Sequence, residues 1–272
     1  MYRKFLRILS LCLALVFLAA CGALEPAPPD ETTTTTAPSG ARKPVTVVIP
    51  EGFHFVQIAQ RLEYHGVVDA YEFFRAAQAF EVQSFETPFS PESAFFLEGF
   101  LFPDTYEFYP DEDPNTVLRR MLNNYAARVL PLMAENNTGM SDYEILILAS
   151  IIEREARSTE HMLMVSSVFH NRMDINMRMQ ANPTRYYARD VLANSPWIPG
   201  DADHWLPLYD TYLRQLSIGP ICNPGLRAIY AALNPAESDY LFFFFGMDNN
   251  NHYTRTYAEH REAMARIGVN FG

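Results

Sequence analysis

Between Ser141 and Arg157 the chain reads SDYEILILASIIEREAR, and this run limits what the rest of the molecule can be. On a helical wheel Ile145, Leu146, Ile147, Leu148, Ala149, Ile151 and Ile152 point in every direction. The helix therefore has no solvent face until its last turn and must be enclosed by other elements. Ser141-x-x-Glu144 is a capping box that opens it.

The surrounding sequence supplies those elements. Residues 45 to 49 are strand-like and end at Pro50. Phe55, Ile58, Ala59 and Leu62 then recur at helical spacing, with Gly66 as the stop. Asp69 can cap a second helix through Phe80. Strand, helix, turn and helix make a small unit over 45–82. Residues 96–109 are aromatic and strand-prone, bent at Gly99 and Pro103. From Pro114, the positions Val117, Leu118, Met121, Leu122, Tyr125, Val129 and Leu130 form one amphipathic stripe. After a break near Ser158 a further helix runs to about Met173, and an irregular Pro- and Tyr-rich region fills 181–219. Asn223-Pro224-Gly225 predicts a helix start with Asn223 as cap, running to about Leu233. YLFFFF (240–245) lacks alternation, which predicts a strand buried on both faces. A polar helix from about Thr256 closes the chain. The class is α+β.

The first twenty residues predict a signal segment: Arg3, Lys4 and Arg7, then an apolar run to Ala20. Leu18-Ala19-Ala20-Cys21 fits a lipobox, which makes Cys21 the expected lipidated N-terminus and a membrane anchor. Residues 21–44, rich in Pro, Thr and acids, read as a disordered tether. Loss of 20 residues leaves 252 of 272, enough for a core and an accessory unit. Three of 21 basic residues leave with it, so 18 face 32 acids and the net charge moves from −11 to −14. So acidic a surface argues against nucleic acid as a partner. Cys21 and Cys222 alone remain, which excludes a disulfide framework and cysteine-based metal sites.

Two acids end the apolar helix. On the wheel Glu153 shares a strip with Leu146, Ala149, Ser150 and Ala156, while Glu155 stands above Leu148 and Ile151. Two readings fit. The last turn can emerge into water with its glutamates paired to Arg154 and Arg157, which suits Glu155. Alternatively Glu153, beside small residues that leave room for a ligand, is a desolvated carboxyl held protonated near neutrality, as a general acid for glycosidic cleavage must be.

Several stretches carry a family pattern: IPEG (49–52) with IAQRL (58–62), LEGFLFPDTYEF (97–108), LASIIEREA (148–156), VFHNRM (168–173), MRMQANPT (177–184), GPICNPGLRAIYAALNP (219–235) and HYTRTYAEH (252–260). In these the chain resembles the endolytic murein transglycosylases, or YceG-like family. The resemblance implies a LysM-like module over 45–82, whose loss would lower affinity rather than abolish chemistry, followed by a mixed α/β catalytic domain over 83–272. It implies endolytic cleavage of peptidoglycan glycan strands, with 1,6-anhydromuramoyl ends formed by attack of the sugar's own 6-hydroxyl. It places the catalytic glutamate on Glu153, with no metal and no cofactor. Glu98, Tyr106, Gln180, Asn182 and Thr184 match positions expected to bind substrate. An extracytoplasmic, lipid-anchored location and peptidoglycan synthases as protein partners belong to the same expectation. The chain also departs from the pattern. Asn182 replaces an Asp, residues 195–212 carry extra length with Asp210 in place of Asn, Arg261 follows His260 where Asn is common, and His54 stands where a hydroxyl cap is usual. These departures keep open a non-catalytic glycan-binding lipoprotein. A solute-binding lipoprotein fits the tether but not the motifs.

Overall fold

Short strands pair only where a partner strand satisfies their backbone, and Val45–Val48 (β1) finds its partner sixty residues away in Thr105–Phe108 (β2). The two are antiparallel, with Val47 opposite Tyr106. Between them lie α1 (Phe55–Tyr64) and α2 (Ala70–Gln78). His54 caps α1 through a capping box with Gln57, and the Asp69 carboxylate accepts from the Tyr71 and Glu72 amides of α2. The computed structural model describes residues 43–80 and 94–268. The leader, Cys21, most of the tether and the boundary at residue 82 lie outside them.

The stretch 96–109 is a strand only at its end. Phe95, Leu97, Phe100, Leu101 and Phe102 are buried in successive turns instead. Gly99 makes that path possible: its φ is +90°, and a Cβ there would stand 2.7 Å from Pro220 Cγ.

The apolar run forms α4 (Asp142–Glu155), buried without interruption from Ile145 to Ile152 and opened by the Ser141–Glu144 box. Around it pack α5 (Thr159–Asp174) and α8 (Leu226–Leu233). The buried Ala228, Ala231 and Ala232 of α8 allow a close approach. The stripe beginning at Val117 is the buried face of α3 (Pro114–Met133), which also touches α8.

Three expectations are corrected. The helix after Asn223 starts at Leu226 with Gly225 as its cap, because the Asn223 side chain is committed elsewhere. About half of the region 181–219 is helical: α6 (Asn182–Tyr186), a π-helical turn at Tyr187–Leu192, and α7 (Ala202–Tyr209) capped by Asp201. Burial of Tyr187, Leu192, Trp205 and Tyr209 supplies the stability that its Pro-rich sequence conceals. Among the described residues Phe242–Phe245 (β3) pairs only with Asn251–Thr254 (β4), and it is half-buried rather than enclosed on both faces. Phe243 meets Phe169 of α5 at 5.8 Å between centroids. The capping box Thr256–Glu259 opens α9 (Tyr257–Ile267).

Candidate active site

The last turn of α4 sends its two acids to different places. Glu155 stands at the meeting point of two clefts. The larger, about 720 Å³, is walled by Arg172 of α5, the aromatic strand β3 and Tyr212. The smaller, about 420 Å³, runs toward Gly52, His54, Tyr186 and Asp190. Glu155 and Asn182 line both. Burial pushes the Glu155 carboxyl up to about 7, while the Arg172 guanidinium pulls it down. Arg172 is itself pinned: its Nε donates to the Leu241 carbonyl at 2.6 Å, Nη1 donates to the Met179 carbonyl, and the guanidinium lies over the Phe242 ring. A fixed cation beside a half-desolvated acid is a tuned acid–base pair.

Glu153 lines neither cleft. Its carboxylate accepts from the Gly225 amide at 3.0 Å, at the N-terminus of α8, where helix geometry favours an anion. Burial raises its pKa most, and the Gly225 bond opposes that rise. Gly52 packs on its stem, and Arg227 bridges nearby Glu51 at 2.9 Å. This glutamate fastens the 50–53 loop, the end of α4 and the start of α8 together.

The other expected residues divide in the same way. Asn182 and Gln180 lie on the clefts. The Asn182 Oδ1 accepts from the Tyr212 hydroxyl at 3.0 Å, and Gln180 adopts a left-handed φ of 53° while lining the larger cleft. Glu98, Tyr106 and Thr184 are placed in the interior. Glu98, 1 % exposed, accepts from the Phe55 amide, the Tyr187 hydroxyl at 2.8 Å and Asn223 Nδ2 at 2.8 Å. Burial still pushes it up to about 7. Glu98 thus shares a raised pKa with Glu155, and access alone separates them. Tyr106, in β2, donates to the Phe102 carbonyl at 2.6 Å. Thr184, fully buried, donates to the Ala181 carbonyl and accepts from the Thr211 amide, locking the 180–184 loop.

Asn223 was read as a cap and proves to be the centre of a buried clasp. Its Nδ2 reaches Phe53 and Glu98, its Oδ1 accepts from Leu101, and its carbonyl accepts from Gly52. The wheel neighbours of both glutamates are buried, Leu148 and Ile151 beside Glu155 and Leu146, Ala149 and Ser150 beside Glu153, so neighbour burial does not distinguish the two. Among the described residues, no group of three or more His, Cys, Asp or Glu is arranged to hold a metal.

A buried helix that ends in a carboxyl shared by two clefts, with its pKa raised by burial, is an arrangement suited to general acid chemistry. The YceG-like family model matches residues 28–266, and the chain belongs to that family. An endolytic murein transglycosylase of Bacillus subtilis (strain 168) is 33% identical over 182 residues, covering 61% of this chain and 47% of the relative. One from Streptococcus pneumoniae serotype 2 (strain D39 / NCTC 7466) is 27% identical over 244 residues, covering 79% of this chain and 44% of the relative. The chain thus spans about half the length of the curated relatives it matches. The crystal structure of a yceG-like protein from Listeria monocytogenes superposes with a TM-score of 0.67 at 28% identity, covering 80% of this chain and 75% of that one.

Proposed function

We propose that this protein is a peptidoglycan lytic transglycosylase in which Glu155 is the general acid and then the general base. The observation that carries the reading is the position of Glu155 where two clefts join: a glycan laid through both would put an internal linkage over the carboxyl. Cleavage within a strand then follows from a groove with room on either side. The names of the relatives supply the substrate class.

A glycosidase that hydrolyses its substrate uses two carboxylates, the second as nucleophile or as base for water. Here one suffices if the muramoyl 6-hydroxyl is the nucleophile. Glu155, held protonated near neutrality, gives its proton to the glycosidic oxygen as the bond to the anomeric carbon breaks. The 6-hydroxyl oxygen bonds to that carbon, and the Glu155 carboxylate takes the hydroxyl proton. The acid is regenerated, and the products are a 1,6-anhydromuramoyl end and a free sugar hydroxyl. Arg172 steadies the carboxylate between the two proton transfers. Glu153, where the family resemblance places this role, is the alternative carrier: burial raises its pKa too, and one oxygen of its carboxylate accepts from the Gly225 amide.

The order β1-α1-α2-β2 with an antiparallel pair supports a LysM-like unit closing at Phe108. Lipidation at Cys21, an extracytoplasmic location and association with peptidoglycan synthases complete the proposal.

Digestion of purified sacculi followed by mass spectrometry tests it. Wild type should yield anhydromuramoyl ends. Glu155→Gln should lose about 10²–10⁴-fold in rate, and Glu153→Gln should retain most of it. Loss in Glu153→Gln alone would return the role to that residue. A wild type that binds sacculi without cleaving them would make the protein a glycan-binding lipoprotein.

A further inference from the structure

His54 is set apart by how its ring is used. It caps α1 by accepting the Gln57 amide proton on Nδ1 at 3.3 Å, while its own amide donates to Gln57 Oε1 at 3.1 Å. A backbone amide can only donate, so Nδ1 carries no hydrogen and the ring proton sits on Nε2. His54 lines the smaller cleft, as Glu155 does. Among the described residues no acceptor takes that proton. Tyr187 meets the ring only edge-on, with centroids 6.3 Å apart.

We infer that His54 is a substrate-positioning residue whose Nε2–H donates to an acceptor oxygen of the sugar in the smaller cleft. The inference rests on the glycan-cleaving function proposed above. Burial, and then the Arg154 charge, lower the His54 pKa to about 4, so the imidazole stays neutral and keeps one fixed donor through the neutral range. A serine or threonine cap would hold the helix equally well but present no donor on that side. The histidine therefore adds a contact to the cleft without costing the cap.

The test uses the full-length chain with peptide-free glycan strands, comparing wild type, His54→Ser and His54→Ala. Serine keeps the cap and deletes the donor; alanine deletes both. KM should rise about fivefold in each variant, the effect of one lost hydrogen bond, with kcat within about twofold, as for an interaction held equally in ground and transition states. Only His54→Ala should lower the melting temperature. An unchanged KM in His54→Ser overturns the inference, as does a melting temperature that falls equally in both variants. If wild type does not cleave these strands, the proposed function itself fails and the role of His54 falls with it. Cleavage by wild type with a normal KM in His54→Ser sinks the inference alone.

Discussion

At Glu155 the burial that suits a carboxyl to donate a proton also works against the fold. Its pKa of about 7 lies above the ordinary carboxyl value of 4.5, so between those values the native chain holds a proton that the unfolded chain releases. Stability from this group is present below about 4.5 and is lost as pH rises through 7; Glu98 acts in the same direction. Glu155→Gln should therefore melt higher than wild type at pH 8, by about 1–2 kcal/mol, with a flatter stability profile between pH 5 and 8. Thermal unfolding across that range checks it, and a lower melting temperature at pH 8 counts against a desolvated acid. The same protonation step governs the reaction: kcat/KM should hold below pH 7 and fall about tenfold per unit above it. At Asn223 the balance is reversed, since every polar atom of that fully buried side chain is bonded. Asn223→Ala strands the Leu101 amide and takes one donor from a Glu98 oxygen that keeps the Phe55 amide, and should cost about 3 kcal/mol in urea unfolding.

Elements show where local sequence suffices and where it does not. The caps of α2 and α4 and the start of α9 near Thr256 were legible because Asp69, the Ser141–Glu144 box and Thr256 act within one turn. The all-apolar α4 was legible for the same reason, its periodicity being complete in fourteen residues. Pairing of β1 with β2 was not, because Val47 and Tyr106 meet through the closure of a long loop that no window spans. What surrounds Glu153 and Glu155 was likewise hidden, since the wheel gives directions but not what stands opposite. Small residues beside Glu153 suggested space, and Gly52 and the Gly225 amide stand there. Close approach also governs the turn before β2. Gly99→Ala must accept both a left-handed φ and a methyl against Pro220, and should destabilise by about 2–4 kcal/mol. Chemical denaturation reads that difference, and a cost below about 1 kcal/mol would show that the turn relaxes.

For the molecule as a whole, the N-terminal strand and helices share their interior with the site. A chain beginning at Gln83 would lose β1, the sole partner of β2 among the described residues, and the Phe55 amide that Glu98 accepts. It should fail to fold cooperatively, visible as a broad or absent circular-dichroism melt. The clasp around Asn223 has one more consequence. The amides of Gly52, Phe55, Leu101 and Asn223 are held by a single connected set of acceptors, though they are spread over much of the sequence. None can be released to solvent without loosening the others. In deuterated buffer these four amides should exchange together and last, with one common protection factor set by global unfolding rather than by local fraying. The two clefts would then keep their shape until the whole chain melts.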